Sequence, residues 1–187
     1  MNIVARQFLH SNLWLIACCV FYLLWWLLAF KPVNPIHGVK SGWLLIPASI
    51  TGLVAIIFAL QSGTHAKVTE ALFPSWALVL AAALAYVLLL LITRLVFKRP
   101  VTSELFLIVG WACLATYQIN ILFGTQIFTY HQAFLFIILI LAVLVICMVC
   151  YTVYYRLGVV ACYVVGAIPL VLGAAVMGVI SLGIYRV

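Results

Sequence analysis

The chain has 187 residues, of which 70% are hydrophobic and 6% charged, with nine Lys and Arg against two Glu and no Asp. Its mean hydropathy is +1.39, whereas a soluble domain usually has about a quarter of its residues charged. Such a chain cannot cover itself with polar groups, so a soluble globule is excluded and lipid is the expected solvent. The sequence reads as an all-α, polytopic integral membrane protein: a six-transmembrane-helix bundle forming one domain over residues 1–187.

A bilayer core of about 30 Å takes roughly 20 apolar residues per helix. Six segments meet that requirement: 13–30, 43–61, 76–97, 105–123, 133–155 and 159–185. The first has a basic residue upstream (Arg6), but Leu28-Ala29-Phe30 is not a small-x-small cleavage site and Lys31 follows, so it reads as a retained helix. Pro32, Pro35, Gly38 and Gly42 mark the first loop. The second span opens with Pro47 and offers the small residues Ala48, Gly52, Ala55 and Ala59 for close backbone approach.

The second loop, between Gly63 and Pro74, is the longest connection. The third span has Ala77, Ala81 and Ala85 at four-residue spacing, which reads as a packing seam, either within the chain or between copies. At the fourth span, Thr102 or Ser103 can cap the helix, with Pro100 just outside and Glu104 in a first turn that favours a negative charge. The fifth is apolar on every side, which a barrel strand with its period-two alternation is not. The joint Arg156-Leu157-Gly158 forces a hairpin into the sixth span. There Pro169 removes a helix hydrogen bond and predicts a kink or hinge.

Six spans place both termini on one side, together with Arg6, Lys67 and Arg186. The other side has Lys31, Lys40, Arg94, Lys98, Arg99 and Arg156, so the positive-inside rule makes that side cytoplasmic and the termini extracytoplasmic. The expected location is a bacterial-type plasma (inner) membrane. Trp14 and Trp76 then fall at the outer interface and Trp25, Trp26 and Trp43 near the inner one, where indoles anchor helices. Lys98-Arg99 is the only adjacent basic pair, so nucleic acid is not an expected partner.

Carboxylate chemistry is nearly excluded, because Glu70 and Glu104 fall on opposite sides and cannot form an acid/base dyad. His10, His65, Glu70 and His131 share the outer side but match no compact metal motif, so neither a metal nor another cofactor is expected. All six cysteines lie in spans and read as small apolar packing groups. Cys147-x-x-Cys150, with Cys162 across the hairpin, could serve a membrane thiol/quinone enzyme, yet no nearby cation would lower a thiol pKa.

The most informative segment is Thr116-Tyr117-Gln118-Ile119-Asn120. Four polar side chains in five residues are costly in hydrocarbon unless they face protein or water. Thr116, Tyr117 and Asn120 share a face, and Tyr86 on the third span reaches a similar predicted depth. The bland reading of this patch is hydrogen bonding between helices. The functional reading is an outward-opening pocket between the third, fourth and sixth spans, lined by Tyr86, Thr116, Tyr117 and Asn120, that binds or transports a small neutral or weakly charged molecule. The alternative is a non-catalytic subunit or assembly factor that meets a membrane-protein partner or its own copies; a redox or lipid-modifying enzyme ranks third.

Overall fold

The computed structural model describes residues 2–29, 43, 45–96, 98 and 103–186. The expectations on Lys31, Pro32, Pro35, Gly38, Lys40, Gly42, Arg99, Pro100 and Thr102 lie outside them. In chain order the elements are α1 (Ile3–Ala29), α2 (Leu45–His65), α3 (Ser75–Leu91) running into a π-helical turn (Ile92–Val96), α4 (Ser103–Gly124), α5 (Tyr130–Val153) ending in a 3-10 turn (Tyr154–Arg156), and α6 (Val159–Tyr185). No strand occurs among the described residues. Six helices are long and apolar enough to cross a membrane. They group into two compact units, one of Met1–His65 with Ile146–Val187 and one of Ala66–Val145.

Helix bounds fall within a few residues of the expected spans except at α1, which starts ten residues before residue 13. The polar stretch Arg6–Asn12 looks like a tail in hydropathy, but Val4, Ala5, Phe8, Ser11 and Asn12 are buried. Three hydrogen bonds tie this stretch to other helices. Ser11 Oγ donates to the Ala55 carbonyl at 2.7 Å, Ser62 Oγ donates to the Val4 carbonyl at 3.0 Å, and Asn12 Nδ2 donates to Ser181 Oγ at 2.9 Å.

These pairings step in opposite directions along the chain, so α2 and α6 both run antiparallel to α1 in the first unit. The buried positions of α1 recur every seven residues: Val4, Ser11 and Cys18; Ala5, Asn12, Cys19 and Trp26; Phe8, Leu15 and Tyr22. A seven-residue repeat keeps one seam facing its neighbours along the helix. On α2 the buried set is Ala48, Thr51, Ala55, Ala59 and Ser62, all small, which lets helix backbones approach closely.

Trp26, expected as an interfacial anchor, packs inside the first unit. It is fully buried, donates Nε1 to the Tyr163 carbonyl at 3.2 Å, and meets the Tyr154 ring edge-on at 5.3 Å. Gly166 makes this possible, because a Cβ there would overlap the indole ring. By contrast, Trp14, Trp43 and Trp76 are exposed. Pro169 is buried and α6 is helical through it.

In the second unit α3 packs on α4. Phe73, ahead of α3, bonds to Asn120 near the end of α4, while Tyr86, well into α3, meets Phe106 near the start of α4. The two helices are therefore antiparallel. Ala81 and Ala85 are exposed and Ala77 is half-buried, so the alanine stripe is not the face buried against α4.

Candidate functional site

The polar patch of α4 holds a loop. Asn120 is buried at 1% exposure; its Nδ2 donates to the Phe73 carbonyl at 2.8 Å and its Oδ1 accepts the Phe73 N–H at 3.0 Å. An amide side chain offers one acceptor and two donors on one plane, so it can pair with a backbone residue much as a neighbouring strand would. One turn further, the Gly124 carbonyl, left without a helical partner at the end of α4, accepts both the Thr69 N–H at 3.0 Å and the Thr69 hydroxyl at 3.1 Å. A Cβ at Gly124 would overlap the Glu70 carbonyl oxygen and the Val68 side chain, so the loop can sit this close only over glycine.

Two standard helix-end motifs build the other wall. After α4 the Ile127 N–H donates to the Leu122 carbonyl at 2.9 Å and the Gln126 N–H donates to the Phe123 carbonyl at 2.8 Å. This is the Schellman pattern, and it puts Gln126 at φ 60°, the left-handed position that glycine normally fills. Thr129 then caps α5. Gln132 Oε1 accepts the Thr129 N–H at 3.0 Å, and the Thr129 hydroxyl accepts the Gln132 N–H at 3.4 Å, the reciprocal capping box.

Between the clamped loop and this turn lies a cleft of about 260 Å³. Thr69 and Glu70 line it from the loop, Phe123 from α4, Gln126, Phe128 and Thr129 from the connector, and Tyr130 from α5. The rings of Phe123 and Tyr130 stand at 71° with centroids 6.3 Å apart, and Tyr130 stacks on Phe134 at 6.2 Å. Phe128 is buried and stacks on Phe136 at 5.2 Å. The lining offers one acidic residue, aromatic surface and a few hydroxyl and amide groups.

The four residues expected to line a pocket are differently placed. The Thr116 hydroxyl donates to the Ala112 carbonyl of its own helix at 2.8 Å, so its polarity is used within one turn. Tyr117 is half-buried. Asn120 is committed to Phe73. Tyr86 packs edge-on against Phe106 at 5.9 Å. Phe106 lies roughly 20 Å before Asn120 along α4 at 1.5 Å per residue, so Tyr86 and Asn120 are not brought together. Gln118 and Glu104 are both buried.

Of the cleft residues only Glu70 was singled out in the sequence, because Thr69, Gln126, Phe128 and Thr129 sit in connectors that hydropathy treats as gaps. The signal was nevertheless present, since Thr129-x-x-Gln132 ahead of an apolar run is a helix-start signature.

Elsewhere, Cys147, Cys150 and Cys162 are buried, with Cys147 Sγ donating to the Pro169 carbonyl at 4.0 Å. The first unit has two shallow grooves. One, of about 560 Å³, runs between α1 and α6 past Leu13 and Leu182; the other, of about 440 Å³, passes Leu27 and Val171. Both are almost wholly apolar and suit hydrocarbon chains. Among the described residues no group of three or more His, Cys, Asp or Glu is placed to hold a metal. Family models, curated proteins and solved structures contain no match to the chain.

Proposed function

We propose that this chain is a small integral membrane protein with six crossings that binds a small molecule in the cleft at the Thr69–Tyr130 end of the second unit. The observation that carries the reading is the construction of that cleft. Two backbone segments are fixed around it, one by Asn120 and Gly124 and one by a Schellman turn and a capping box, and a non-glycine residue is held at positive φ on its wall. Strained backbone is kept where the surrounding structure enforces it, and it clusters at binding sites. Relative to the pocket expected from Tyr86, Thr116, Tyr117 and Asn120, the ligand site moves to the helix ends, and Asn120 becomes its support.

Six crossings are supported by helix direction. α2 and α6 oppose α1, and α4 opposes α3, as strictly alternating spans require. Under the positive-inside reading the cleft faces outward, on the side of both termini, in a plasma membrane. If the cleft is only one station of a transport path, a small polar molecule is what would pass.

The experiment is a thermal-stability screen of the purified full-length protein against small polar molecules, repeated on Tyr130→Ala. Stabilisation that disappears in Tyr130→Ala supports the reading. Stabilising compounds that are all indifferent to Tyr130→Ala contradict it.

A second reading, a subunit of a larger membrane complex, is favoured by α3, which packs on α4 but has no buried residue of its own among those described. Purification in mild detergent should then recover a stoichiometric partner on that helix, and a clean monomer that binds a ligand argues against it.

A further inference from the structure

Resting on the reading of the cleft as a ligand site, we infer that its occupant is an organic ammonium group, from a primary amine to a quaternary one. Glu70 is the single acidic residue that lines the cleft, and no Lys, Arg or His lines it. This is unexpected in a chain with a formal charge of +7 and only two acidic residues. A neutral donor would gain a hydrogen bond from that charge, but only a cation gains the direct Coulombic attraction, and an anion would be repelled.

Aromatic rings carry negative potential on their faces and attract a cation seated over them. Here the Phe123 and Tyr130 rings, which line the same cleft as Glu70, meet at 71° with centroids 6.3 Å apart. The dipole acts in the same sense. The cleft lies against the C-terminal end of α4, where carbonyls leave net negative potential. The opposing positive end of α5 is partly occupied by the capping box, which engages the Gln132 N–H and the Thr129 N–H.

Size favours a headgroup over a larger ligand, because about 260 Å³ falls below the roughly 300–1,000 Å³ of drug-sized pockets. An ammonium group of this kind could belong to a free solute or to the headgroup of a lipid standing beside α4 and α5. The chemistry recognised is the same in both.

The test uses the full-length protein in nanodiscs of phosphatidylglycerol alone. Hydrogen exchange is read over residues 66–74 and 125–130 while choline chloride is titrated at constant ionic strength. The neutral isostere 3,3-dimethylbutan-1-ol is the control. Choline should slow exchange in both segments and the isostere should not. Glu70→Gln should raise the half-saturating choline concentration at least about tenfold. Tyr130→Leu, which removes a ring and no charge, should weaken choline too and shows that the effect is not a folding defect of one variant.

Repeating the wild-type measurement in phosphatidylcholine nanodiscs separates the sources. Protection already present without choline assigns the lipid headgroup, and protection appearing only with choline assigns a free solute; both support the inference. If the neutral isostere protects as well as choline and Glu70→Gln changes nothing, the ammonium inference is overturned while the cleft remains a ligand site. If neither probe protects, the ammonium inference is likewise overturned. The site itself then stands or falls on the compounds sensitive to Tyr130→Ala.

Discussion

Asn120 and Phe73 are joined twice, side-chain amide to backbone, at 2.8 and 3.0 Å across 47 positions of sequence. Both ends of the contact are polar groups in a largely apolar unit, and each satisfies the other. Removing the amide takes two hydrogen bonds from the Phe73 backbone, each worth about 0.5–1.5 kcal/mol net.

Asn120→Ala should therefore destabilise the protein by about 2 kcal/mol and release the 66–74 loop, read as faster hydrogen exchange at Thr69 and Phe73. Thr116→Val removes a hydroxyl that only back-bonds to its own helix, and should change stability by less than about 1 kcal/mol. Equal effects of the two substitutions would show that Asn120 is not the support of the loop.

Gln126 occupies the left-handed position after α4 at φ 60°, where a side chain is strained and glycine is not. Gln126→Gly should raise stability by roughly 0.5–1 kcal/mol in a thermal melt. Gln126→Val should lower it, since a β-branched residue fits that region worst. If Gln126 also touches the ligand, Gln126→Gly will melt higher and bind less well.

Gly166 and Trp26 should be energetically coupled. Gly166→Ala forces a methyl into the indole ring and, as with other overpacked cores, should cost about 1–3 kcal/mol. Trp26→Phe shortens the ring and gives up the Nε1 bond to the Tyr163 carbonyl, so alone it also destabilises. Combined with Gly166→Ala it should recover part of the loss, giving a non-additive cycle of at least about 0.5 kcal/mol. Strict additivity would mean the two residues do not press on each other.

Crossing number and orientation follow from accessible positions. Ser62 is buried against Val4, so a reporter belongs at exposed Thr64, with its opposite number at exposed Leu157. In intact cells a membrane-impermeant maleimide should label Thr64→Cys and spare Leu157→Cys until the membrane is opened. The native thiols are buried or half-buried and should give a low background. The reverse pattern would put the termini inside.

Hydropathy made the six helices long and apolar enough to cross a membrane legible among the described residues, because each is a long apolar run. It failed at the start of α1, where Ser11 and Asn12 look like a solvated tail. Their partners, the Ala55 carbonyl and Ser181, are distant in sequence, so no local pattern reveals them. On α3, Ala81 and Ala85 are exposed, so of the two readings of the alanine spacing the seam within the unit does not hold.

The patch on α4 was rightly singled out as expensive, but its role was not readable. The group that satisfies Asn120 is the backbone of Phe73, and a backbone amide looks the same at every position of a sequence. The cleft itself depends on an approach over Gly124 and a turn through Gln126, both matters of conformation more than composition.

Native mass spectrometry of the protein released from mild detergent tests the central claim most directly. Wild type and Thr116→Val should retain a bound small molecule that is lost from Tyr130→Ala, which removes a wall of the cleft, and from Asn120→Ala, which frees the loop behind it. A wild-type protein with no retained molecule, or an identical adduct on all four proteins, would contradict the account.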